Sequence, residues 1–194
     1  DKDSKNGLIL MGIEAVLTGL YLYVLLQKIV SATMSGINSV FGTSRMAAQT
    51  PSLGGFFGYG IIIAIIVSLV IATLVMGLMK AMAEADINWF QSCQIAGMRS
   101  LGLSLGWILG ILGLFLGMYQ FAILIIVVGG VLGMIYMIVA MMSYPNTKKD
   151  MIAYVVLITI LVATFISYFV LKEFVLSSLI NNGGSTTHFL NNIL

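Results

Sequence analysis

A chain of 194 residues that is 60% hydrophobic and only 8% charged is not composed like a soluble domain, which is about 25% charged and 45–50% apolar. Nine Lys or Arg against seven Asp or Glu leave a formal charge of +2, too little for the basic footprint of a nucleic-acid binder. With a mean hydropathy of +1.08, what remains is an all-α, polytopic membrane protein in contact with membrane lipid and with no nucleic-acid partner.

The first residues, Asp1 to Asn6, are polar and mixed in charge. The chain opens without Met, so an upstream segment is expected. The apolar stretch that follows is too long for the 7–15-residue core of a signal peptide and reads as a span that stays. A helix needs about 20 mostly apolar residues to cross the hydrocarbon core. Five stretches qualify: residues 7–27, 58–79, 100–117, 120–142 and 151–171. Runs such as Ile61-Ile62-Ile63-Ala64-Ile65-Ile66-Val67 lack the alternation of a barrel strand, and in lipid a helix satisfies its own backbone hydrogen bonds. Residues 1–180 are expected to form a single bundle and 181–194 a polar tail with a turn at Asn181 to Ser185.

The connections differ. Residues 28–57 are rather apolar: the first helix is expected to continue past Lys28, with a turn near Pro51 and turn glycines at Gly54 and Gly55. In the second connection, residues 80–85 read as an extension of span two. A fresh helix then starts with Asp86 or Asn88 as N-cap. The third connection, around Met118 and Tyr119, is a tight hairpin. The fourth, Ser143 to Asp150, is polar, and its Lys148-Lys149 pair reads as a topology determinant. Lys2, Lys5, Lys80, Arg99, Lys148 and Lys149 fall on one side, and Lys28, Arg45 and Lys172 on the other. The excess places the N-terminus in the cytoplasm and the C-terminus outside, in what reads as a bacterial plasma membrane.

Glycines recur at four-residue spacing in span three, at Gly102, Gly106 and Gly110 and again at Gly113 and Gly117. Span four carries Gly129 and Gly133. Such spacing clears one face of a helix so that a second backbone can come close. The seven glycines are therefore expected to pack spans three and four into the centre of the bundle; the alternative is a glycine-lined conduction path.

Within the five stretches the only charge is Glu14. A carboxylate inside a span is costly and marks a functional site by default. With Thr18 one turn on, it makes a candidate intramembrane polar site: a proton or cation site or a subunit contact on one reading, a carboxylate bonded to a nearby polar group on the other. No catalytic, cofactor-binding or metal-binding residue is assigned. Cys93 and His188 are single, Cys93 lies in the second connection, and no zinc, nucleophile-elbow or phosphate-loop motif occurs.

The order of spans, with the segment Ala83-Glu84-Ala85-Asp86-Ile87-Asn88-Trp89-Phe90-Gln91-Ser92-Cys93-Gln94-Ile95-Ala96-Gly97 leading into the third, resembles the Yip family of Rab-interacting-type five-span membrane proteins, in their bacterial branch. The resemblance covers about residues 51–172. It implies five spans, a cytoplasmic N-terminus and an adaptor or scaffold role. The Asp-Leu-Tyr-Gly-Pro-like signatures of eukaryotic members are absent from this chain, so Rab binding does not carry over. Three functions are expected in order: a non-enzymatic adaptor or accessory subunit packing against other membrane proteins or copies of itself; a small transporter or channel component with Glu14 on the pathway; and a membrane immunity protein.

Overall fold

The structure, a computed structural model, describes residues 3–41 and 54–182, with side chains placed at 5–31, 55–169 and 172. Among the described residues it is all helix and turn. The elements are α1 (Asp3–Phe41), α2 (Gly54–Ala81), α3 (Trp89–Phe115), α4 (Tyr119–Met142) and α5 (Lys149–Asn182). All five are long and apolar enough to cross a membrane. The protein is an integral membrane helical bundle.

Contacts between elements fix their directions. Along α1 and α3 the matched levels rise together: Gly7 lies against Cys93 and Gly97, Glu14 against Arg99 and Ser100, and Tyr21 against Trp107. These two helices run parallel. Along α1 and α2 they rise oppositely, from Glu14 with Ser68 to Gly19 with Phe57 and Gly60. Along α3 and α4 the order is again opposite: Gly102 with Gly133, Gly106 with Gly129, Gly110 with Ile126, Gly113 with Ala122. Helix α3 is the centre post, touching α1, α2 and α4.

The glycine reading holds for the α3–α4 seam with one correction. A Cβ at Gly102 would lie 2.2 Å from the backbone N of Gly133, and one at Gly129 would lie 2.7 Å from Cα of Gly106. Carbon atoms sit comfortably at about 3.5–4.0 Å, so these approaches exist only because both partners lack a side chain. Gly117 does not belong to the set. It follows the end of α3 with φ +75, and nothing lies within 4 Å of its Cβ position. Its N–H donates to the Leu114 carbonyl and that of Met118 to Gly113, the paired bonds that close a helix with a left-handed residue just past its end. Spacing alone cannot separate a glycine needed for φ > 0 from one needed for room.

Four boundaries also differ from expectation. The fresh helix capped by Asn88 forms as expected, but it runs unbroken from Trp89 to Phe115, so span three does not begin near Ser100. The Asn88 side chain accepts from the Gln91 N–H at 2.9 Å, and the Gln91 side chain accepts from the Asn88 N–H at 2.8 Å, a reciprocal box that fixes a helix start. Cys93 therefore lies buried inside a span, not in a connection. Helix α2 stops at Ala81, so residues 82–85 do not extend it. The chain turns there, with Glu84 at φ +53, and leaves Ala83, Ala85 and Ile87 buried and Glu84, Asp86 and Asn88 exposed, an alternation that lays a strap across the end of the bundle. The Lys148 N–H donates to the Ala83 carbonyl at 3.0 Å, joining this strap to the turn before α5. Gly54 and Gly55 open α2 and do not form a turn. Asn181 and Asn182, expected to open the turn and the polar tail, still belong to α5; the expected turn near Pro51, residues 183–185, Arg45 and His188 lie outside the described residues.

Two apolar clusters fill the bundle. The larger, at the strap end, gathers Met79, Ile87, Ile95, Met137, Met141, Ile152 and Val155 from all the elements there except α1, which adds Met11. Tyr144 packs half-buried against it, and burial pushes its phenol above the ordinary range. The smaller, at the opposite end, holds Tyr21, Val24, Ile111, Leu114 and Ala122 of α1, α3 and α4 only. The outward faces of α2 and α4, with Ile62, Ile66, Val127 and Val131, are exposed and apolar, as a lipid-facing surface should be.

Candidate functional site: a buried charge cluster

The backbones of α1 and α3 nearly touch at Gly7 and Gly97, where a Cβ on either would lie within 2.6 Å of the other helix. Two turns farther along α1 this closeness brings Glu14 into reach of short side chains. Its carboxylate accepts from Arg99 Nη2 at 3.0 Å to Oε1 and 3.3 Å to Oε2. It also accepts from the hydroxyls of Ser100 and, at 3.4 Å, Ser68. Arg99 Nη2 lies 3.4 Å from Ser68 Oγ as well. One acid, one base and two hydroxyls from α1, α2 and α3 thus close on one another. The Glu14 side chain keeps 7% of its exposure and Arg99 15%.

Arg99 corrects the expectation that Glu14 stands as the only charge inside the spans. It lies ten residues beyond Trp89, about 15 Å along the helix and so near the middle of a core about 30 Å thick. An isolated charge there would be unfavourable. Paired and hydrogen-bonded, each ion supplies what desolvation removed from the other. Thr18, the other candidate, does not join the carboxylate. Its hydroxyl donates to the Glu14 backbone carbonyl at 2.8 Å, a local bond within α1.

The sequence held two signals for the missing members. Ser92, Ala96, Ser100 and Ser104 form a second row at four-residue spacing, two positions out of register with Gly102 and Gly106, that runs back past Ser100. Asn88 followed by Gln91 marks a helix start three turns ahead of Arg99. Together they place Arg99 in the span. For Ser68, a lone hydroxyl in an isoleucine-rich run, no local signal exists.

No known protein family, curated protein or solved structure matches the chain. The cluster is therefore read from its own chemistry. Its charges cancel, its carboxylate has three partners, and it ties three helices together at mid-depth. Among the described residues, no three His, Cys, Asp or Glu side chains come together in a way that could hold a metal ion.

Proposed function

We propose that the protein is a non-enzymatic membrane adaptor or accessory subunit, working through its lipid-facing surface against other membrane proteins or a second copy of itself. The observation that carries this reading is an unused small-residue row on α2. Thr73, Gly77 and Ala81 are all exposed and four apart. Nothing lies within 4 Å of a Cβ at Gly77, and the Thr73 hydroxyl is turned back onto the Leu69 carbonyl at 2.8 Å. The inner glycines at 102, 106, 129 and 133 are consumed within the bundle, whereas this row is free to receive another helix. Such rows favour close helix association in lipid. The five-span order that resembles the Yip family implies the same kind of role.

The N-terminus is assigned to the cytoplasm. With Arg99 counted inside the bilayer, Lys2, Lys5, Lys80, Lys148 and Lys149 still outnumber Lys28, Arg45 and Lys172. The transport reading with Glu14 on a pathway gains no support from the site, because the carboxylate is enclosed and held by a fixed cation. Nothing in the site favours the immunity reading.

Purification in mild detergent tests the proposal. A partner or second copy in fixed ratio is expected with the wild type and lost with Gly77→Leu, which fills the row without touching the core. A monodisperse monomer with wild-type α2, or a complex indifferent to Gly77→Leu, would reject it.

A further inference from the structure

Arg99 has a second environment. It also contributes to the wall of a cavity of about 250 Å³ between α2, α4 and α5. Ile71, Met137 and Thr159 lining it are buried, while Met134 and Thr164 are exposed at its rim. Thr159 lies ten residues past the start of α5 and Arg99 ten past the start of α3, about 15 Å along each helix. The mouth therefore opens sideways to the hydrocarbon, not to water.

The chemistry of the walls selects an occupant. The bonds from Arg99 to Glu14 and Ser68 all leave from Nη2, and its Nε is buried with no acceptor among the described residues. A buried N–H of this kind is costly until something accepts from it. The Thr159 hydroxyl is already committed to the Val155 carbonyl at 2.7 Å, and the hydroxyls of Thr164 and Ser167 sit on less buried residues, so Arg99 is the deep donor. Its positive charge is balanced by Glu14, which favours a neutral acceptor over a carboxylate or phosphate. Apart from the hydroxyls of Thr164 and Ser167 on the outer part of α5, the rest of the wall is apolar, and the thioethers of Met134 and Met137 suit the edge or face of a ring. Depth narrows the choice further. The ester carbonyls of bilayer lipids are anchored at the headgroup boundary, whereas a carbonyl compound without a polar headgroup moves freely at mid-depth.

We infer that the cavity is a lateral-entry binding site for a neutral, lipid-soluble carbonyl compound of the quinone class. Its ring lies between Met137 and Thr159, its carbonyl oxygen accepts from Arg99 Nε, and its tail leaves between α4 and α5. The volume lies just below the range of small-molecule pockets, about 300–1,000 Å³, and suits a single-ring headgroup with its tail outside.

The test uses the full chain in lipid nanodiscs, titrated with a decyl-substituted benzoquinone and, in parallel, with decylbenzene. Empty discs give the partitioning background. Saturable one-to-one binding of the quinone is expected, with decylbenzene at least tenfold weaker. Ala163→Phe, which fills the cavity, should weaken quinone binding tenfold or more. Thr164→Trp, placed at the exposed rim, should do the same by blocking the mouth, and it carries the test should Ala163→Phe fail to fold. Absence of saturable quinone binding would overturn the inference. So would equal affinity for decylbenzene, or unchanged binding in a folded Thr164→Trp variant.

Discussion

Where α3 meets α4, backbone touches backbone; where α5 meets the bundle, side chains such as Ile152, Val155 and Val156 make the packing and a cavity remains. Lipid tails are as apolar as a leucine side chain, so helices in a membrane gain little from hiding apolar surface and must gain from close packing. The seam satisfies this with Gly102, Gly106, Gly129 and Gly133. Helix α5 contains no glycine at all. It is seated near its start by Ile152, Val155 and Val156 in the large cluster; farther on, Ile160, Ala163, Thr164 and Ser167 line the cavity while Leu161, Phe165, Tyr168 and Phe169 are exposed. The difference teaches that one bundle can hold a rigid post and a helix with room beside it, and that glycine placement decides which is which.

The largest expected effect lies at the seam. Gly102→Leu should abolish recovery of a monodisperse protein, because even its Cβ would collide with the backbone of Gly133, which cannot move aside. Gly110→Ala should be far milder: its Cβ would press on the Ile126 side chain at 3.1–3.2 Å, which can rotate, and meet the Ala122 carbonyl oxygen at 3.4 Å, an ordinary contact. Ala163→Leu on α5 should be near neutral in a thermal melt, since the cavity accepts the added carbons. A melt in which Ala163→Leu costs as much as Gly102→Leu would remove the distinction between the two regions.

The charge cluster comes next. It ties α1 and α2 to α3, and among the described residues α5 supplies no bond to the Glu14 carboxylate. Removing one member of a buried pair leaves the other uncompensated, typically about 3–5 kcal/mol. Glu14→Gln and Arg99→Gln are each expected to destabilise on that scale, and the double variant should recover part of the loss because no lone charge remains. Hydrogen exchange sharpens the comparison. Protection should fall along residues 7–21 in Glu14→Gln while residues 152–159 keep theirs. Equal loss in both stretches would mean that the post and the flank unfold as one unit.

The five crossings were legible because apolar length is a direct physical requirement of the bilayer, and the seam was legible because its glycines repeat on one face. The cluster was only half legible. Glu14 announced itself by being a charge among apolar residues, but Arg99 was placed outside its span. A cation at the edge of an apolar run reads as a boundary unless its counter-ion is known, and here that counter-ion is 85 positions away in the chain. Gly117 failed for a related reason: it keeps the spacing of a packing glycine while serving a backbone conformation. The row at Thr73, Gly77 and Ala81 looked like any small-residue pattern until the structure left it outside.

The smallest expected effect concerns how α5 is held at its start. Glu84 and Lys148 form an ion pair across the strap, with side chains more than half exposed, and such pairs are worth about 0–1 kcal/mol. The firmer link is the bond from the Lys148 N–H to the Ala83 carbonyl, which any side chain at 148 preserves, and the burial of Ala83, Ala85 and Ile87 beneath it. Lys148→Ala should therefore leave the melting temperature almost unchanged at both low and high salt. Lys148→Pro removes the N–H and should loosen α5 selectively, lowering exchange protection at 152–159 and sparing the α3–α4 seam. If Lys148→Ala proved as damaging as Lys148→Pro, the flank would be held by charge rather than by backbone and apolar contact, and its looseness would then depend on ionic strength.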